Sequence, residues 1–380
     1  MKKILFATTA LVATAGIASA EVALTGSAEM GIIGGDVDGD AIETQFHTDI
    51  DVTFTMTGEA DNGLTFGASI DLDESDGSGA CALSDNDARA NLLGFTGLLT
   101  INGALADIDG SFFDGDDDVV SCAVRGDSAA FSNTEQGGET IFISAGGATL
   151  TMGDTDGAFD AAMQEVNLAA GSINDDETEH AGFSGNAGLD GTYDGQIARF
   201  DYAFSGVTAS LSAEIDDSGN GDPVWGLGLR YEGDFNGVAL GVGLGYQTTN
   251  TADVEDVFNA LVPGAPPVSE GVSMDIIGVS VDAGFSNGLS LGVNHSVLNI
   301  DGDEGKHTAL GVGYEMNALA IGLNWGQFTA DGDVISSGFG LAAAYDLGGG
   351  LAAQFGYGHS NFDVLDVTAN TFSLGLAMSF

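Results

Sequence analysis

Basic side chains are almost missing from this chain: 7 Lys and Arg stand against 57 Asp and Glu, a formal net charge of −50. So few cations could not neutralise phosphates, which excludes nucleic acid as a partner. Proline is scarce at 4 residues, and all but one fall between positions 250 and 271. Past the first 20 residues no run of 18 apolar residues exists, so no helix of the mature chain could span a bilayer. High charge with few aromatics is a signature of disorder. Here 44% of residues are hydrophobic, which argues for a folded chain. The five histidines are dispersed without metal-ligand spacing, and no nucleophile–base constellation is visible, so an enzyme is not expected.

Two cysteines are present, Cys81 and Cys122. The N-terminus reads as a secretory signal over residues 1–20. Lys2 and Lys3 form its positive end, Ile4 to Ile17 its apolar stretch, and Ala18-Ser19-Ala20 the small-x-small site, with cleavage expected after Ala20. An exported chain meets an oxidising compartment, so a Cys81–Cys122 disulfide is expected over two unpaired thiols. Without Lys2 and Lys3, five basic residues face 57 acidic ones, a net charge of −52.

A chain both strongly acidic and on average apolar needs an architecture that separates the two. A transmembrane barrel does so: every second residue of each strand faces lipid, while the lumen and loops take the charge. The period-2 pattern is explicit between Phe46 and Gly58. Ile50, Val52, Phe54 and Met56 fall on one face, and Asp49, Asp51, Thr53, Thr55 and Thr57 on the other. After Asp61-Asn62-Gly63, a tight-turn sequence, the alternation resumes with Leu64, Phe66, Ala68, Ile70 and Leu72 opposite Thr65, Ser69, Asp71 and Asp73.

The unit recurs along the chain. A first strand is expected over Glu21 to Ile33 and a short hairpin over Thr140 to Ser144 and Ala148 to Gly153. Further pairs flank Gly206, Asp234-Phe235-Asn236-Gly237, Ser286-Asn287-Gly288, Asn317-Ala318 and Gly348-Gly349-Gly350, and a last strand runs from Asn370 to Phe380. The total is sixteen strands, and an even number lets the ends meet and close the sheet. On this reading Phe54, Phe66, Leu229, Tyr314 and Phe372 face lipid or a neighbouring subunit, and Asp51, Asp71 and Arg230 face the lumen. Three segments exceed simple connections: 74–139, which holds both cysteines, 154–195, and 250–271.

The order and spacing of these strands resembles the trimeric sixteen-stranded general porins, particularly those of alphaproteobacteria. The resemblance rests on Glu21-Val22-Ala23-Leu24-Thr25-Gly26, Phe54-Thr55-Met56-Thr57-Gly58, Gly63 to Ser69, Ile143 to Asp154, Gly340 to Gly350 and the terminal Phe380. It implies an all-β transmembrane antiparallel barrel over residues 21–380, in the outer membrane of a Gram-negative cell. It further implies a homotrimer seated among outer-membrane lipid and lipopolysaccharide that passes small hydrophilic solutes and cations. In that family the loop after the fifth strand folds inward and narrows the pore; here that loop is 154–195. The loop after the third strand, here 74–139, latches onto a neighbour.

The inward loop carries Asp154, Asp156, Asp160 and Glu165, the candidate constriction residues, with Phe159, Met163 and Val166 at helical spacing among them. General porins oppose this loop with a basic cluster on the early strands. This chain places Asp49, Asp51, Asp71 and Asp73 there, and its only strand arginines are Arg199 and Arg230, which pairing with nearby acids would neutralise. Small residues in runs such as Gly241 to Gly245 are read as leaving the lumen open. Two acidic runs, Asp36, Asp38 and Asp40 and then Asp114, Asp116 and Asp118, alternate oxygens as Ca²⁺ loops do, though neither has EF-hand spacing. No cofactor is required; some association of Ca²⁺ or Mg²⁺ with so much charge is expected. The competing reading is a secreted Asp/Gly-rich Ca²⁺-binding structural or adhesive protein, but its nonapeptide repeats are not found.

Overall fold

The computed structural model describes residues 21–74, 134–173, 177–217, 219, 221–251, 272–364 and 366–380. The expected signal segment, both cysteines, the run Asp114, Asp116 and Asp118, and most of the long segments 74–139 and 250–271 lie outside them.

Sixteen antiparallel strands form one closed barrel. They are β1 Glu21–Val37, β2 Asp40–Glu59, β3 Thr65–Glu74, β4 Thr134–Ala145, β5 Ala148–Asp154, β6 Gln196–Phe204, β7 Val207–Glu214 and β8 Val224–Phe235. Then follow β9 Val238–Thr251, β10 Val272–Phe285, β11 Leu289–Ile300, β12 Asp303–Met316, β13 Leu319–Ala330, β14 Asp333–Gly348, β15 Leu351–Phe362 and β16 Val367–Ser379. A five-residue helix, α1 Ala158–Ala162, lies between β5 and β6. Every strand pairs with its sequence neighbours, and β1 closes on β16 from Ser27↔Ser379 to Val37↔Ala369.

The turns set the register. At Asn236-Gly237 and Asp331-Gly332 both residues have positive φ, as a two-residue turn matched to strand twist requires. All connections at the rim that carries Glu21 and Phe380 are short. The long segments leave the opposite rim.

One face of the sheet carries the large exposed hydrophobics: Phe54, Phe66, Leu229, Leu244 and Ile277 among many. Aromatic side chains gather on it near both ends of the strands. Tyr202, Phe204, Tyr231, Phe235, Phe285 and Tyr314 lie towards the short-turn rim, and Phe46, Trp225, Tyr246, Trp325 and Phe339 towards the other. Two such belts around an apolar band are the outer surface of a membrane barrel. The other face, by the same alternation, turns inward. In a reconstituted sample a water-soluble thiol reagent should label the Asp51→Cys variant quickly and the Phe54→Cys variant slowly; equal rates would show that the faces are misassigned.

Candidate functional site: the inward segment and the wall that holds it

Chain between β5 and β6 cannot satisfy its backbone as a strand or long helix would, so it must find partners elsewhere. It finds them on the inward face of the barrel. Ala158 N–H donates to Ser212 Oγ of β7 at 2.8 Å, and Gln164 N–H to Ser280 Oγ of β10 at 2.8 Å. Asn294 of β11 donates to Gln164 O at 2.9 Å and to Asn186 Oδ1 at 2.7 Å. His307 of β12 meets Gly182 O at 3.0 Å, Asn324 of β13 donates to Thr178 O at 2.7 Å, and Ser336 of β14 to Ala181 O at 2.7 Å. Ser360 of β15 accepts from Ala181 N–H at 3.0 Å. On the return, Gln247 of β9 accepts from Leu189 N–H at 2.7 Å, and Glu214 of β7 accepts from the N–H groups of Gly191, Tyr193 and Gly195. The segment therefore runs round the inner wall from β7 to the β16–β1 seam, where Ile173 sits between Gly31 and Gly375, and back again. Each bond nets about 1 kcal/mol, but leaving any of these buried groups unpaired costs more.

Glycine makes that approach close. A Cβ on Gly228, Gly243, Gly311, Gly326 or Gly340 would fall 2.0–2.2 Å from a backbone oxygen of the segment. Inward glycines of β8 to β16 thus seat a second layer of chain, which corrects the reading that they leave the lumen open. An apolar cluster completes the seat: Phe159, Met163 and Leu189 pack with Val224, Met274, Ile276 and Leu298. The helix suggested by Phe159, Met163 and Val166 is only α1; Met163 is already extended as its C-cap, though all three side chains are buried.

The expected site residues are placed as follows. Asp154 ends β5, exposed, its carboxylate beside Gly138. Asp156 is exposed and 3.9 Å from Arg199. Asp160 is half-buried on α1; burial, then Asp156, Asp190 and Glu165, raise its pKa to about 8 against the pull of Arg199. Glu165 lies on the next turn of chain, with Gly185 opposite it. Asp190, missed in the sequence, clasps the two arms of the segment together, accepting from Gly157 N–H at 2.7 Å and Gln247 Nε2 at 2.6 Å. Burial lifts its pKa to about 7 despite those two bonds. His180 is buried and lowered to about 4 by desolvation, so it is neutral where its Nδ1 accepts from Gly182 N–H.

The inward arc β2 to β6 bears the wall acids. Asp51 accepts from Ser27 Oγ at 2.9 Å and Asp71 from Thr53 Oγ1 at 2.8 Å; Asp49 pairs in register with Glu29, itself 4.0 Å from His47. The side chain of Asp73 is outside the described set. Arg199 is held by Asp201 at 3.0 Å, and Arg230 by Asp282 at 2.6 Å and Gln164 at 3.3 Å. Lys306, the remaining described cation, pairs with Glu304 at 3.0 Å. Among the described residues every Arg and Lys is thus matched by a carboxylate. Asp36, Asp38 and Asp40 do not form an open loop: Asp38-Gly39 is a tight turn, Asp36 accepts from Asn370 and Asp38 from Thr368. No group of three or more potential metal ligands occurs among the described residues.

Solved structures share this architecture. A porin refined at 1.8 Å resolution is 19% identical, with 95% of this chain and 100% of that one covered at a TM-score of 0.60. A Rhodopseudomonas blastica porin, studied as a triple mutant, is 18% identical over 94% and 100%, at 0.55. Among curated protein sequences none matches. The profile of the Gram-negative porin family matches residues 7–365, and with the closed sixteen-stranded barrel this assigns the chain: it belongs to the Gram-negative porins.

Proposed function

We propose that the barrel is a cation-preferring diffusion pore of the outer membrane, with segment 154–195 as its constriction. The observation that carries this reading is the charge balance of the inward face. The segment covers the wall from β7 to β1, so the water path is left along β2 to β6. That arc bears Asp49, Asp51, Asp71 and Asp201, and the segment adds Asp156, 3.9 Å from Arg199 of β6, with Asp160 and Glu165 nearby. Arg199 and Arg230 are already neutralised. Carboxylates on both sides of a low-dielectric channel focus a negative potential and gather counterions. Passage needs no catalytic group and no cofactor. Homotrimers among lipid and lipopolysaccharide, a cleaved signal at residues 1–20, the Cys81–Cys122 bridge and Ca²⁺ or Mg²⁺ on the outer loops complete the proposal.

The test is a planar-bilayer recording under a salt gradient. The reversal potential should have the sign of cation preference and should shrink at high salt, as the Debye length falls from about 10 Å at 0.1 M to about 3 Å at 1 M. Asp160→Asn with Glu165→Gln should move it towards zero. Anion preference in the unmodified protein refutes the reading, and no shift in the double variant removes those two residues from the constriction.

A further inference from the structure

Among the described residues of segment 154–195 the most completely buried carboxylate is that of Glu177, 2% exposed. It lies on the returning arm, beside the seam that closes the barrel. One oxygen, Oε2, accepts from two hydroxyls: Ser172 Oγ of the outgoing arm, and Ser373 Oγ of β16 at 2.9 Å. Ser373 is itself fully buried. The same carboxylate rests on Gly356 of β15, where a Cβ would come within 2.5 Å of Oε2. The backbone oxygen of Glu177 lies over Gly340 and Gly358, where Cβ atoms would fall 2.2 and 2.9 Å from it. One side chain thus joins the two arms of the segment to each other and both to the wall. Most wall bonds go to the segment's backbone; here, as at Asp190, the segment supplies a carboxylate.

We propose that Glu177 is the positioning residue of the constriction: a latch that holds the far end of the segment flat against β15 and β16 and so keeps the water path open. Released, the chain around Ser172 and Glu177 lifts off β15 and β16 into the lumen, while the bonds from Asn324, Ser336 and His307 hold the rest of the segment in place. The pore then flickers to partly closed levels. A buried acceptor shared by two hydroxyls is suited to this, because either hydroxyl left without a partner in a dry site carries its full desolvation cost.

This inference rests on the channel reading above. The unmodified protein's conductance tests that reading, and only the difference between variants tests the latch. Single-channel traces are recorded for the unmodified protein and for Glu177→Ala, Glu177→Gln and Ser373→Ala, each checked for heat-modifiable migration as evidence of a folded barrel. Glu177→Ala should raise the frequency of partial closures about tenfold or more. Glu177→Gln keeps an oxygen that both hydroxyls can reach, and should restore the frequency to within about threefold of the unmodified protein. Ser373→Ala removes only the wall's donor, should fold whatever the fate of Glu177→Ala, and should give an intermediate rise. Folded variants that close no more often than the unmodified protein overturn the proposal. So does a Glu177→Gln variant that flickers as Glu177→Ala does, because the shared acceptor would then not be what holds the segment.

Discussion

Replacing Gly243 with alanine, a single added methyl group, should change the conductance of the pore at least about twofold while leaving the barrel intact. Gly243 lies in the middle of β9 facing inward, and its missing side chain is filled by the segment. A Cβ there would stand 2.0 Å from the backbone oxygen of Ala162 and 2.5 Å from Ser280 Oγ. An ordinary contact begins near 3.4 Å, so α1 would have to retreat by about 1.4 Å. A backbone oxygen cannot rotate away as a side-chain tip can. The retreat also breaks the Gln164–Ser280 bond and lifts Phe159 off Gly245 and Gly278. Overpacking of this kind costs about 1–3 kcal/mol. The strand itself gains, since Gly is a poor strand residue and its pairing with Ser280 involves only backbone. The loss therefore falls on the segment and not on the barrel. Gly284→Ala is the matched control: it lies in β10, and its Cβ would meet only Ala239 Cβ at 3.7 Å. Heat-modifiable migration should be normal for both variants, with altered conductance and faster proteolysis of 154–195 in Gly243→Ala alone. Equal conductance in the two would show that the glycine seat does not set the bore.

The sixteen strands were legible because their signals are local. Alternation such as Ile50, Val52, Phe54, Met56 and turn pairs such as Asn236-Gly237 lie within a few residues of each other. Strand ends were less so. β1 runs to Val37 and β2 starts at Asp40, where the expected strands stopped at Ile33 and began at Phe46. These outer parts lie beyond the apolar band, so nothing compels them to alternate, and the acids of Asp36 to Asp40 masked a two-residue turn.

The seat of the inward segment was not legible, although its position was. Most of its bonds to the wall join residues more than 50 positions apart, and nothing near Gln164 announces Asn294. A glycine that admits a second chain and a glycine that lines water look the same in sequence. The usable trace was the odd polar residue at inward positions of otherwise Gly-rich strands: Gln247 after Gly241, Gly243 and Gly245, Asn294 after Gly292, and Asn324 after Gly322. A buried amide in such a row needs a partner, and the residues beside it on the neighbouring strands are small or apolar: Gly311 and Gly340 for Asn324, Gly226 and Ile276 for Gln247. Asp190 shows the same limit, because its role depends on Gln247 and Gly157 on either side of it in space.

Cation preference should fall severalfold as pH is lowered from 9 to 6, through protons taken up by the segment. Asp160 sits among Asp156, Asp190 and Glu165, with one guanidinium, Arg199, opposing them. From other elements packed on α1 the charged groups are Glu214 of β7 and Arg230 of β8, the latter already bound to Asp282. Burial first, and then this crowding, raise Asp160 to about 8 and Asp190 to about 7. Both are ionised at pH 9, and both carry a proton at pH 6. Each charge removed weakens the attraction for a passing cation by about 1 kcal/mol at 4 Å in water, a factor of about five before screening. The change should therefore appear in two overlapping steps near pH 8 and pH 7. Asp160→Asn should abolish the upper step and lower the plateau at pH 9. A carboxyl raised from its unfolded value of 3.8 contributes stability fully present below that value, and the contribution is lost as pH rises through 8 for Asp160 and 7 for Asp190. His180, lowered to about 4, adds the opposite limit: its contribution is present above its unfolded value of 6.5 and lost as pH falls through 4. Between pH 4 and 6.5 two carboxyls lose their contribution as pH rises while one histidine regains its own, so the segment should resist protease best near pH 4, less well at pH 6 and least at pH 9. Reversal potentials that stay constant between pH 9 and pH 6 would place Asp160 and Asp190 away from the ion path, and an unchanged protease profile would place their protons outside the segment's stability.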